Sequence, residues 1–449
     1  MLKALRGRAV GFVVAHVLLA AALLLGNGRF NWFSLALTVA ACACAFRAAA
    51  RSTLEQEDAL SPEILAAGVA IGALLSLFRA SGNDVTSLAM HVALAALTVV
   101  MATVVILGCR SATAPHARLL ALLLALYAVT ALLLMRASPN PHIDVFLFQD
   151  RGAHALLEGR DPYTVVFENI YGARDSHDFY GKAEVVPSSY PYPPLSLFLS
   201  TIAVAIGRDP RLAYLACQLG AAALLFHLGR RRWSSAVGLG FAGLLLIHPR
   251  GLFVLEQAWT EPLIAFALIA LVALLDGSRW VLGAIALALL FAAKQYSLLI
   301  APLLLAPRLL DEARAWPRAR WLVLGAVGAA VLTVPFMLWH PADALADVVM
   351  FQVKQPFRED ALALPAAIAV LTGWHAPSVI APLAAIATLA WVWRRLPEGA
   401  GALPTGAAVV YFAFFLTAKQ AFCNYYYFVG ALLLAAAVTS KRATVPSGG

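Results

Sequence analysis

The sequence predicts an all-α, polytopic membrane protein of about 13 transmembrane helices, with a large extracytoplasmic loop after the fifth span. Three observations predict it. First, 62% of the 449 residues are hydrophobic and only 13% charged, roughly half the charge of a soluble domain. Second, apolar runs long enough to cross a bilayer recur from end to end, with short charged patches between them. Third, segments alternating with a period of two are absent. A helix, which satisfies its own backbone in lipid, is therefore favoured over a β-barrel.

The first five spans fall near 9–26, 31–48, 62–78, 86–108 and 118–135. The basic N-terminus followed by an apolar run resembles a signal peptide, but the run is long and lacks a clear cleavage site, so it reads as the first span. Lys3, Arg6 and Arg8 precede it, Arg47 and Arg51 follow the second, and Arg110 and Arg118 flank the loop after the fourth. The alternate loops hold only Arg29 and Arg79, so the count is seven against two and the N-terminus is expected in the cytoplasm of a plasma (inner) membrane protein. The net charge of +9 follows this pattern and not that of a nucleic-acid-binding face.

An odd number of spans places the polar loop at 136–194 outside, and a long polar loop in a membrane protein is usually functional. The segment 195–206 is expected to lie in the interface or re-enter, because Arg230, Arg231 and Arg232 then face the cytoplasm. Further spans read near 212–228, 233–248, 262–275, 280–293, 296–307, 320–339, 377–393, 404–418 and 425–439, with 361–372 too short to assign. Arg279, the group Arg308, Arg314, Arg318 and Arg320, the pair Arg394 and Arg395, and Lys441 with Arg442 then lie inside. No repeat or low-complexity tract divides the chain, so 1–449 reads as one membrane domain. The five cysteines, Cys42, Cys44, Cys109, Cys217 and Cys423, sit in or beside apolar runs and read as small apolar filler. Cys42 and Cys44 stand about 200° apart on a helix, poor geometry for a shared metal.

With the basic loops inside, five polar segments reach the outer helix ends: Asp144, 248–261, Lys294–Gln295, 352–360 and 419–427. Ionisable groups beside apolar segments are expensive and mark sites or pathways. Each has an ordinary alternative. Asp144, Glu256 and Glu261 read equally as solvated loop acids, Lys294 and Lys419 as snorkelling lysines, and Tyr425 to Tyr427 as an interfacial belt. Arg250 and Arg358 run against the charge bias of that side, and Gln420 and Asn424 share one helical face. Their joint placement at one face carries the functional reading. His142 and Asp144 alone are a weak cation signal, and no nucleotide-binding or His-Glu-x-x-His motif appears.

The stretches Asp144-Val-Phe-Leu-Phe-Gln, Gly159-Arg-Asp-Pro162-Tyr163 and Tyr190-Pro-Tyr192-Pro193-Pro194-Leu195 resemble the GT-C membrane glycosyltransferases. They look most like glycosyltransferase family 87, the polyprenol-phosphate-mannose-dependent mannosyltransferases. Relative to that family this chain carries a long charged insert from Thr164 to Ser189. It also has about four spans ahead of the one before the acidic loop, so 1–115 reads as a module added to the core 195–449.

The resemblance implies an inverting transfer of a hexose or pentose, with mannose favoured. The donor is a polyprenyl-phosphate sugar, and the acceptor is an extracytoplasmic hydroxyl of a cell-envelope glycan or glycolipid. It implies Asp144 as the base, with Asp150 the nearest competitor. The remaining candidates come from the expected topology. Lys294, Arg250, Arg358 and Lys419 are candidates for binding phosphate, Trp259 and Tyr425 for lining a sugar pocket, and Gln295, Gln355, Gln420 and Asn424 for binding substrate. Glu256 and Glu261 are placed beside them. A divalent metal stays open, because Asp144 needs a second acid near it. Asp144, Lys294, Arg358 and Lys419 are expected around one outward-facing cavity. The alternatives are a transporter or lipid flippase, which often carries inverted repeats, and a non-catalytic subunit of an envelope-assembly complex.

Overall fold

Long apolar segments leave a backbone in lipid only its own partners, and helices follow. In the computed structural model, which describes residues 7–51, 60–78, 84–171, 185–305, 315–395 and 401–441, every regular element is a helix. Among the described residues extended backbone pairs only in two isolated bridges, Arg29 with Ala361 and Glu168 with Val185. Lys3, Arg6, Arg79, Arg308, Arg314, Arg442 and the middle of the 164–189 insert lie outside the described residues.

The first helices are α1 (Arg8–Gly26), α2 (Trp32–Ala50), α3 (Pro62–Phe78), α4 (Leu88–Arg110) and α5 (His116–Ala137). Asn31 begins α2 by accepting a hydrogen bond from Ser34 N at 2.8 Å, and Ser87 begins α4 in the same way from Met90 N. The polar segment supplies α6 (Asp144–Leu157), and Pro194 starts α7 (Pro194–Gly207) at a position where its missing N–H costs nothing. Then come α8 (Arg211–Arg232), α9 (Ser235–Leu246), α10 (Gly251–Glu256), α11 (Glu261–Asp276) and α12 (Trp280–Ala293). The chain closes through α13 (Ala301–Leu304), α14 (Ala315–Met337), α15 (Pro341–Leu345), α16 (Phe351–Lys354), α17 (Leu364–Thr372), α18 (Ile380–Arg395), α19 (Ala402–Leu416) and α20 (Cys423–Val438).

Among the described residues six helices are long and apolar enough to cross a membrane, as in a multi-pass membrane protein: α1, α2, α4, α5, α8 and the Arg320–Met337 stretch of α14. The other apolar helices are shorter. One expected span differs in kind. In place of a continuous helix over 296–307, a 3-10 turn runs Gln295–Ile300 and leads into the four-residue α13. Lys294 is extended, at φ −160° and ψ 147°, and the Tyr411 hydroxyl donates to the carbonyls of Tyr296 and Ser297. A remote side chain thus satisfies carbonyls that a regular helix would have used.

α1 packs against α2, α3 and α20, α8 against α9 and α11, and α19 against α20, burying one continuous apolar core. α20 is the centre of that core, buried from Tyr426 to Val438. Large apolar side chains such as Phe78, Leu107, Ile206, Val281 and Ile386 face outward, as lipid-facing positions do.

Candidate functional site

The site is assembled around the start of α6. Asp144 is its first residue, its Oδ1 accepts from Val145 N at 2.7 Å, and the positive end of the helix favours the carboxylate there. Asp144 N donates to the Tyr171 hydroxyl at 3.2 Å. Burial, and next the Asp144 charge, hold the Tyr171 phenol well above its ordinary pKa. Gly159 turns the chain at φ +73° after α6, and Asp161 accepts from Tyr163 N at 2.9 Å to set the next turn. Tyr163 is fully buried and donates to the carbonyl of Tyr192 at 2.9 Å. Tyr190 bonds Gln149 of α6 at 3.0 Å and Ser196 of α7 at 2.8 Å. Thus Gly159, Tyr163 and Tyr190 brace α6 on α7 and hold the Tyr192 ring in place.

That ring and Asp144 line one cavity of about 220 Å³. Of the thirteen candidate residues, eight line it: Asp144, Trp259, Lys294, Gln355, Arg358, Gln420, Asn424 and Tyr425. They come from five separated stretches of chain, which the fold brings together around one space.

Lys294 forms the cavity floor. Its ammonium lies 2.6 Å from Glu261 Oε1 and 5.2–5.5 Å from the ring centres of Tyr192, Tyr296 and Tyr425. Such cation–ring contacts strengthen when desolvated. Glu261 Oε1 also accepts from Tyr296 OH and Asn424 Nδ2, each at 2.9 Å. Arg358 is buried, and its guanidinium makes a two-point contact with Asp360 at 2.7 Å on each oxygen.

Five candidates do not line the cavity. Glu261 stands behind Lys294 as its counter-ion. Glu256 accepts from Asp84 N and Gln257 Nε2. Arg250 is buried with its guanidinium 4.1 Å above the Phe253 ring. Gln295 spans the carbonyls of Pro191 and Val348. Lys419, expected at the cavity, instead donates to the carbonyls of Val353 and Gln355 at 2.8 and 2.6 Å, and burial lowers its pKa. It fixes the backbone that carries Gln355 into the cavity. Asp150 is absent from the lining, and burial raises its pKa.

Asp144 is the one carboxylate of the described lining, with His142 beside it. Neither Glu256 nor Glu261 reaches it to complete a metal site, and among the described residues no group of three His, Cys, Asp or Glu gathers as one. Sequence reasoning missed Asn27 and Arg29 in the α1–α2 turn, whereas Gln257, Gln352 and Phe422 lie within the polar segments 248–261, 352–360 and 419–427 without being singled out there. Arg29 carried the same signal as Arg250 and Arg358, a basic residue in a loop on the acidic-tolerant side.

No family model matches the chain, and no curated protein and no solved structure matches it.

Proposed function

We propose that this protein is an inverting, GT-C-like membrane glycosyltransferase that uses a polyprenyl-phosphate sugar and works at the extracytoplasmic face. The observation that carries the reading is the composition of the cavity, where Asp144, Lys294 and Arg358 line one space with carboxamides and aromatic rings. Aromatic faces and carboxamides suit a sugar, which presents apolar faces and hydroxyls. Lys294 and Arg358 suit a departing phosphate.

In this reading Asp144 accepts the proton of the acceptor hydroxyl. The hydroxyl oxygen bonds to the anomeric carbon as the bond from that carbon to the lipid-phosphate oxygen breaks, and the phosphate leaves with the electron pair. The configuration inverts. Asp144 is suited to this role because it is only partly buried and lines the cavity. The cations are held before the reaction, Lys294 by Glu261 and Arg358 by Asp360, so little reorganisation accompanies the charge that develops. About 13 spans with a cytoplasmic N-terminus belong to this proposal.

The breaks at 247–250 and 294–300 are also a habit of transporters. Membranes containing the full chain, supplied with a radiolabelled polyprenyl-phosphate sugar, separate the two readings. The proposal expects label in an acceptor fraction and released polyprenyl phosphate. Movement of intact donor between leaflets without transfer would contradict it.

A further inference from the structure

The α1–α2 turn, which the sequence assigns to an appended module, reaches the cavity, and it does so on a built scaffold. Asn27 ends α1 in the left-handed region at φ 54°, and Gly28 follows at φ +74°. A Cβ at position 28 would lie 2.3 Å from Cys423 N, so the turn is pressed against the first residue of α20. Phe30 N donates to the carbonyl of Asp360 at 2.8 Å, and Arg29 bridges to Ala361. The turn is thus fixed on both sides to the segments that carry Arg358 and Asn424.

Charge then separates the two ends of the cavity. At the floor, one cation, Lys294, meets one anion, Glu261. At the rim, two guanidinium groups meet one carboxylate. Arg358 takes both oxygens of Asp360 at 2.7 Å, whereas Arg29 stands 3.8 Å away with its side chain 65% exposed. Asp360 thus faces two guanidinium groups, and the one carboxylate that lines the cavity among the described residues is Asp144. Arg358 lies over the Phe422 ring at 5.1 Å, and Phe422 and Arg29 line the same cavity. A guanidinium fork offers two parallel N–H donors that match a phosphate in geometry as well as charge.

We propose that Arg29, positioned by Gly28 and Asp360, is a phosphate-binding residue of this cavity, supplied by the N-terminal helices. The inference rests on the glycosyltransferase reading for its substrates: the phosphate belongs either to the lipid-linked donor or to a phosphorylated acceptor. In either case the helices ahead of residue 115 are part of the site and not an appendage to it.

The test is binding to the purified full-length protein in detergent, read by ligand-induced thermal shift. Farnesyl phosphate stands for the donor and glycerol 3-phosphate for a soluble acceptor group. Arg29→Gln is expected to weaken at least one of them about tenfold, the scale of a lost charge-assisted bond. Arg29→Lys, which keeps the charge and loses the fork, is expected to fall between. Weakened farnesyl phosphate assigns the donor phosphate to Arg29. Weakened glycerol 3-phosphate, with farnesyl phosphate sensitive only to Lys294→Met, assigns the acceptor. Unchanged binding of both probes in Arg29→Gln overturns the proposal. Binding is read without sugar transfer, so wild-type transfer with unaltered binding in Arg29→Gln sinks this inference alone. Arg29-dependent binding without any transfer sinks the glycosyltransferase reading instead.

Discussion

The floor and the rim of the cavity are each built on an ion pair, and the two pairs differ in nearly every physical respect. At the floor, the side chains of Lys294 and Glu261 are 8% and 0% exposed, and three donors converge on one carboxylate oxygen. At the rim, Arg29 and Asp360 are 65% and 31% exposed and 3.8 Å apart. Burial removes the water that would otherwise stabilise each charge alone, so the floor pair must stay intact. Exposure leaves the rim cation able to exchange one anion for another. The floor is therefore a fixed electrostatic element and the rim an adaptable one.

The largest effect expected from this contrast is at the floor. Glu261→Leu leaves Lys294 buried without its counter-ion and is expected to cost about 3–5 kcal/mol, read as a lowered unfolding temperature in detergent. Adding Lys294→Met should restore most of that loss, and an uncorrected double variant would break the comparison. Next comes the scaffold of the rim. Gly28→Ala places a Cβ at φ +74° against the backbone of Cys423 and is expected to cost about 1–3 kcal/mol. A Gly28→Ala protein as stable as wild type would contradict the close approach. Arg29→Gln itself is expected to change stability by less than about 1 kcal/mol, because an exposed pair contributes little.

The smallest effect is a pH dependence in the segment beside the cavity. Asp347 accepts from Ser188 Oγ and Ser189 N at 3.0 Å each, and burial raises its pKa above 3.8. A raised folded pKa means the folded state binds the proton more tightly than the unfolded chain does. The stability of wild type relative to Asp347→Asn should therefore improve as pH falls through that raised value, levelling off below 3.8. A difference that moves the opposite way would mean the two hydrogen bonds outweigh burial.

Much of the helical architecture was legible, because the lengths of the apolar runs carry it. Pro62–Phe78 falls on its expected span, and Leu88–Arg110 and His116–Ala137 fall within two residues of theirs. The break after Lys294 was not legible, since the group that satisfies its carbonyls, Tyr411, lies 115 residues away along the chain. The site was legible as a set of polar helix ends, but the division of labour within it was not. Lys419 has the same sequence signal as Lys294, and Glu261 shares with Asp144 its place at an outer helix end though not the motif, so only packing distinguishes those that face the cavity from those that hold its walls. Arg29 carries the same counter-bias signal as Arg250 and Arg358, but it lies in the segment 1–115 that reads as an added module and enters only the loop charge count.

The central claim is that Asp144 is the base of a sugar transfer in this cavity. It is tested most directly by comparing transfer from a radiolabelled polyprenyl-phosphate sugar in membranes containing wild type, Asp144→Asn or Asp150→Asn at matched expression. The account predicts a loss of about 10²–10⁴-fold for Asp144→Asn, the scale of general base catalysis, and near-wild-type transfer for Asp150→Asn. Transfer that survives Asp144→Asn and fails in Asp150→Asn would contradict it.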